Sequence, residues 1–295
     1  MGELSNTIIK KCLKDGGCCD AVRLHKFGTF RRQSDARIIQ RYRCHSCGKT
    51  VSNATNDPAC WQKKRHLNHT CMMLLGSCVS IRRTAKILNI NQKTVARKLI
   101  FLGQTLNKKN ENILLDDVRH VQFDELQTIE HTKCKPISVA MAVSTDDRRI
   151  LGFRVSKMPA TGHLATISRK KYGKRPDQRK AGLQQLLKYL QSKIKQTVHI
   201  SSDECTFYKP VVDAAFPRAM YQQFKGKKSC VAGQGELKKT ASDPLFTINH
   251  TFAMLRANIN RLVRRTWCTT KKIARLIDHL TIYVYVHNNY LLKSS

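Results

Sequence analysis

Hydrophobic residues recur along this chain with two different periods. Between residues 60 and 103 the spacing is helical. Residues 61–75 contain no proline and no glycine, and Ile81, Thr84, Ala85 and Leu88 fall at i, i+3, i+4 and i+7, one face of a helix. Ser80 is placed to cap that helix, Asn89 and Ile90 to turn the chain, and Asn91 to cap the next helix. The second helix buries Val95 and Leu99 and is expected to present Gln92, Lys93, Arg97 and Lys98. Two helices, a tight turn and a basic second face make a helix-turn-helix pattern, which a plain helical hairpin would share. Residues 104–117 are polar and turn-rich and read as a linker.

From residue 118 the period falls to two. Val118, Val121, Phe123 and Leu126 mark a strand over 120–127, with the carboxylate of Asp124 among apolar neighbours. Residues 135–144 are almost all apolar or small, as in a central strand buried on both faces. Residues 145–148 form a turn, and Leu151, Phe153 and Val155 alternate along a third strand that makes a hairpin with the second. A basic loop is expected over 168–180, an amphipathic helix over 181–195 and a strand over 197–203 that ends on Asp203. A short helix over 210–215, a short strand over 220–224 and a glycine- and lysine-rich loop over 224–239 follow. Helical spacing returns from Asn249, with Phe252, Leu255, Ile259 and Leu262 as its stripe, and a last helix spans about 271–287. Three strands, a helix, a strand and then helices is an α/β order.

Charge narrows the partners. Lys and Arg number 54 against 20 Asp and Glu, a net charge of +34. A chain this basic repels itself and seeks a polyanion, nucleic acid before an acidic membrane surface. No apolar run approaches the roughly 18 residues of a spanning helix, and the N-terminus has no signal core and no myristoylation pattern. The expected compartment is the reducing cytoplasm, so the 12 cysteines point to metal before disulfides. Cys44 and Cys47, followed by Gly48, have the spacing of a zinc knuckle, whose glycine permits the turn that faces two thiolates to one ion. Cys12 and Cys18 form the other pair, with Cys19 as an alternative to Cys18. The residues between the pairs have strand character, so residues 1–58 read as a zinc ribbon folded by its metal. Unligated thiols are the alternative, and His25 and His45 are expected to face solvent.

A buried carboxylate must be paired or bind a metal. In a ribonuclease-H-like sheet the first and fourth strands are neighbours, so Asp124 and Asp203 would meet. Two hard oxygen donors suit magnesium, and a pair of such ions assists in-line phosphodiester displacement without a protein nucleophile. Tyr42-Arg-Cys-His-Ser-Cys-Gly, the helix-turn-helix from Ser80, Phe123-Asp-Glu, Ser202-Asp-Glu and the helix from Asn249 to Trp267 together resemble bacterial insertion-sequence transposases of the DDE class. The resemblance is to the branch with a zinc ribbon over 1–58, a helix-turn-helix over 59–103, a linker over 104–117 and a ribonuclease-H-like catalytic domain over 118–295. It implies magnesium- or manganese-assisted cleavage of double-stranded DNA at element ends and transfer of a 3′-hydroxyl into target DNA. It also implies action near the bacterial nucleoid, zinc in the ribbon and a dimer or larger assembly that pairs two ends. Matched by position, Asp124 and Asp203 are the first two catalytic acids, and Asn249 stands where the third acid would open the late helix. Asn249 would offer a neutral carbonyl to the metal, cap its helix, or do both; Glu204, Glu125, Glu236 and Asp243 are nearby acids able to replace it. Arg256, two turns on, resembles the basic residue that contacts phosphate. The rival reading is a DNA-binding remnant, or a repressor of its own element, without catalysis. A zinc-ribbon RNA-binding factor fits less well with paired aspartates in a long α/β region.

Overall fold

The computed structural model describes residues 24–225 and 243–292, apart from residues 34, 35, 53, 55, 56, 61, 112, 114, 264 and 265. The chain divides into two compact units, Met1–Thr70 and Cys71–Ser295.

In the first unit, β1 (Leu24–Arg31), β2 (Ile38–Cys44) and β3 (Thr50–Ser52) form an antiparallel sheet in that order. A register shift between Lys26 and Thr29 bends β1 at Gly28, whose φ of 63° suits glycine. Most of the strand residues are exposed. Among the described residues the core of this sheet is Cys44, flanked by Leu24 and Cys47. The helix expected from residue 61 begins later: Lys64 is left-handed at φ 54° and opens a single 3₁₀ turn over Arg65–Leu67.

The second unit, which begins within α1 (Asn68–Leu75), continues with two more helices, α2 (Ile81–Ile87) and α3 (Gln92–Glu111). Both expected caps are present. Ser80 Oγ accepts from Arg83 N at 3.3 Å and Asn91 Oδ1 accepts from Lys93 N at 2.8 Å. Asn89 turns the chain between them at φ 49°. The expected linker is corrected in its first half: residues 104–111 are the last two turns of α3. Burial drives the extension, because Leu99, Leu102 and Leu106 pack with Ile282 and Val286 of α8 (Ile273–Val286). The two helices come close at Gly103, where an added Cβ would stand 2.6 Å from Asp278 Cβ and 2.7 Å from its Cα.

A five-stranded mixed sheet forms the centre of this unit. It contains β4 (His120–Glu130), β5 (Thr132–Ser144), β6 (Ile150–Lys157), β7 (His199–Asp203) and β8 (Met220–Phe224), in the order β6-β5-β4-β7-β8. β4, β5 and β6 are antiparallel, whereas β7 and β8 run parallel to β4. β4–β5 is a hairpin as well as β5–β6, paired from Val121–Ser144 to Glu130–Thr132. Between β6 and β8 lie α4 (Leu164–Tyr172), α5 (Arg179–Gln191) and α6 (Tyr208–Ala215); α7 (Phe246–Asn258) and α8 follow.

Alternation along β4 assigns the two faces. Val121 and Phe123 pack with Leu183, Leu186 and Val211 of α5 and α6. Leu126 packs on the other face with Phe252, Leu255 and Leu280 of α7 and α8. Two expectations change here. Residues 168–172, read as loop, belong to helix α4, anchored by buried Ser168, whose Oγ donates to Cys134 O at 2.6 Å. The late helix starts at Phe246 rather than Asn249 and stops at Asn258, so Ile259 and Leu262 are buried beyond its end. Among the described residues no helix is long and apolar enough to cross a membrane.

Candidate functional site

Parallel pairing of β4 with β7 sets Val121 beside Ile200 and Gln122 beside Ser201. Asp124 and Asp203 each lie two residues further along, on the face that carries α7 and α8. Gln122 secures the approach of α7 to this point. Its Nε2 donates to Pro244 O at 2.7 Å and its Oε1 accepts from Ile248 N at 3.1 Å. This buried glutamine was not singled out by sequence. Its signal is a polar residue two positions before Asp124 in an otherwise apolar stretch.

The two acids are brought together. Asp124 accepts from Glu125 N at 2.6 Å, which favours its charged form, but burial and then the charge of Asp203 outweigh this and raise its pKa to about 7. Arg256 acts in the opposite direction on Asp124. Burial also raises Asp203, against a side-chain hydrogen bond with Asp124 that lowers it, and its Oδ1 is buried and accepts from no described donor. Two carboxylates that desolvate and repel one another hold a proton at neutral pH unless a cation takes its place. The donor set therefore fits a divalent ion. No cluster of three or more His, Cys, Asp or Glu side chains fit to hold a metal occurs among the described residues. The pair thus offers two protein ligands, which is what magnesium takes when water and phosphate complete its shell.

Asn249 is exposed in the first turn of α7. Its Nδ2 donates to Asp243 Oδ2 at 3.0 Å, and it forms no hydrogen bond to either aspartate. It is not the cap of its helix. Asp243 opens the helix instead, its Oδ1 accepting from Leu245 N at 3.1 Å and its carbonyl from Phe246 N at 3.0 Å. Arg256 lies seven residues beyond Asn249 on the same flank of α7, near enough for its charge to act on Asp124. Glu125 points to the opposite face of the sheet. It sits 3.9 Å from Arg179 Nη1, and burial raises its pKa to about 7 against the pull of that arginine. Arg179 is held in turn by Asp177, Nη2 to Oδ2 at 2.7 Å. Glu204 is exposed, and Glu236 lies outside the described residues.

On α3, Gln92, Lys93 and Arg97 are exposed as expected. Lys98 is a correction: it is 3% exposed, inside the stripe formed with Val95, Leu99 and Leu102. Burial lowers its pKa and raises that of its neighbour Cys71 to about 11. In the stretch whose spacing reads as a zinc knuckle, Cys44 is buried at the end of β2. The turn is closed by Gly48 N donating to Cys44 O at 2.9 Å, with Gly48 at φ 70°. His25 and His45 are exposed. The other expected zinc ligands, Cys12 and Cys18, and the alternative Cys19, lie outside the described residues.

A cavity of about 490 Å³ lies away from the aspartates, at the β6 edge between α3 and α8, lined among others by Asn110, Arg154, Tyr189 and Asn288. Among the described residues Glu111 is the sole acid in its lining, so these offer no paired carboxylates. Comparison of the sequence with protein-family models and with curated proteins gives no match.

Proposed function

We propose that this chain is a DNA transposase of the DDE class, in a variant with asparagine at the third position, and that Cys71–Ser295 contains its ribonuclease-H-like catalytic domain. The observation that carries the reading is the meeting of Asp124 and Asp203 on adjacent parallel strands, with their proton affinities raised and Asp203 Oδ1 unpaired in a buried position. The strand order supports it: three antiparallel strands followed by two parallel ones, with the first and fourth side by side, is the order of a ribonuclease-H-like sheet.

Magnesium or manganese, when bound, supplies charge neutralisation at the scissile phosphodiester and a lowered pKa for an attacking water. Asp124 and Asp203 would hold it, in place of the proton that their raised pKa values favour. Gln122 keeps α7 against β4, so Arg256 stays close enough to the acids to favour their charged forms and to meet a phosphate oxygen. Asn249 orients Asp243 through its Nδ2, which leaves its carbonyl oxygen as the atom able to face a metal. The exposed Gln92, Lys93 and Arg97 of α3 are the residues of the helix-turn-helix that would read DNA, the substrate to which +34 charges point. A small sheet whose described core is a cysteine with one leucine and a second cysteine is a module that a structural zinc would stabilise. Cys12, Cys18, Cys44 and Cys47 are the proposed ligands.

The test is a transposition assay with a marked element bearing the native ends. Wild type is compared with Asp203→Asn and Asn249→Ala. Movement with wild type and none with Asp203→Asn is the expected result. Loss with Asn249→Ala, at unchanged protein level and DNA binding, makes Asn249 a site residue. A wild-type protein that binds the ends yet never cuts them with magnesium or manganese is a DNA-binding remnant, and the catalytic assignment then fails.

A further inference from the structure

The fold sorts the basic run over 168–180 into two sets. Arg175 turns inward: its Nε donates to Met158 O and its Nη2 to Pro136 O, both at 3.3 Å, and its Nη1 lies 3.7 Å from Glu130. Arg179 is held by Asp177 and Glu125. Arg169, Lys170, Lys171, Lys174 and Lys180 remain exposed, as does Lys133 of β5, and none of these six has an ion pair among the described residues. On the helix of Arg169, Lys170 and Lys171, two lysines flank an aromatic ring. Tyr172 ends α4, is 36% exposed, and has Lys135 Nζ at 4.4 Å and Lys171 Nζ at 5.7 Å from its centroid. This surface lies along the β4–β5 hairpin, which runs past the end of β7. Asp124 pairs with Met141, six residues from Lys135, or about 20 Å along a strand.

Exposed cations alone would suit any polyanion, and a duplex keeps the faces of its bases covered. An exposed ring framed by lysines suits a strand with unpaired bases, because phosphates meet the cations and a base meets the ring. We propose that Lys133, Lys135, Arg169, Lys170 and Lys171 track the backbone of a single DNA strand and that an unpaired base stacks near Tyr172. That this strand leaves the acid pair rests on the transposase reading; its binding here does not.

The test is metal-free binding of the full-length protein, followed by fluorescence anisotropy, to a labelled oligo-dT and to a blunt duplex. Tyr172→Leu keeps apolar bulk and loses stacking, whereas Tyr172→Phe keeps both. The leucine variant is expected to weaken oligo-dT binding by about 5- to 100-fold, with the phenylalanine variant and duplex binding near wild type. Joint replacement of Arg169, Lys170 and Lys171 by Ala is expected to lower the log–log salt slope for the single strand by about 2. Wild-type oligo-dT affinity with Tyr172→Leu, equal losses for both DNA forms, or an unchanged salt slope would each overturn the proposal. Binding that depends on Tyr172 without any cleavage would retain this inference and remove the transposase reading. Cleavage with Tyr172 irrelevant to binding would do the reverse.

Discussion

Asp124→Asn tests the electrostatics of the acid pair without any DNA. The folded pKa of Asp124, about 7, lies above the unfolded carboxylate value of 3.8. The folded state therefore binds a proton more tightly than the unfolded chain, and stability falls as pH rises from about 4 through about 7. Each pH unit of that window is worth about 1.4 kcal/mol, so a shift of about three units sets a ceiling near ~4 kcal/mol. Access of water to the site lowers this, and ~2–3 kcal/mol is the expected size. The asparagine variant carries no charge to desolvate and none for Asp203 to repel. It should match wild type near pH 4 and exceed it by that amount at pH 8. Urea denaturation of the full-length chain from pH 4 to 8 measures this, in buffers passed over a chelating resin so that magnesium is absent. Glu125 shifts in the same direction and is present in both proteins. Magnesium at 100 times its dissociation constant should then return about 2.7 kcal/mol to wild type at pH 8 and less to the variant. A difference between the two proteins that does not change with pH would refute the raised pKa. Equal stabilisation of both by magnesium would refute the metal site.

Four further outcomes follow from particular contacts. Gly103→Ala drives a methyl into the Asp278 backbone and should cost about 1–3 kcal/mol in urea denaturation; a cost below about 0.5 kcal/mol would mean that α3 and α8 are not so close. Asn288 occupies the sheet edge, its Oδ1 accepting from Ile150 N and its Nδ2 donating to Ile150 O, both at 2.9 Å. Asn288→Ala should cost about 1–2 kcal/mol and promote self-association through β6, visible by size-exclusion chromatography. Removing the cation near Asp124 with Arg256→Ala should move the acidic limb of metal-dependent cleavage to higher pH, with Arg256→Lys close to wild type in the same pH profile. Cys44→Ser should lower bound zinc, counted by mass spectrometry of the purified protein, from about one ion per chain.

Local chemistry was the legible part of the fold. Ser80 and Asn91 cap the helices that their side chains announce, and Met220–Phe224 is the strand that its pattern predicts. Tertiary burial decided what sequence did not show. The end of α3 is polar, yet Leu106 has a partner surface on α8, so the helix continues to Glu111. Helix α4 was hidden by its own basic surface, because the contact that seats it is a single serine. The start of α7 was hidden because Phe246 is half-exposed and adds nothing to the apolar stripe. Lys98 was assigned by its charge, but its position on the helix belongs to the buried face, where a long aliphatic stem can pack.

Asp124 was legible for a reason that also explains the pairing. Side chains alternate along a strand, so the apolar residues that bury one face determine which residues share the other. Val121 and Ile200 pair across β4 and β7, and both sit in the core beneath α5 and α6. That contact sends Gln122 and Ser201, then Asp124 and Asp203, to the face of α7. Slipping β7 by one residue would carry Asp203 to the opposite face and bury Ser201 where Ile200 belongs. The meeting of the two acids is thus enforced by hydrophobic registry, at a point where electrostatics alone would drive them apart.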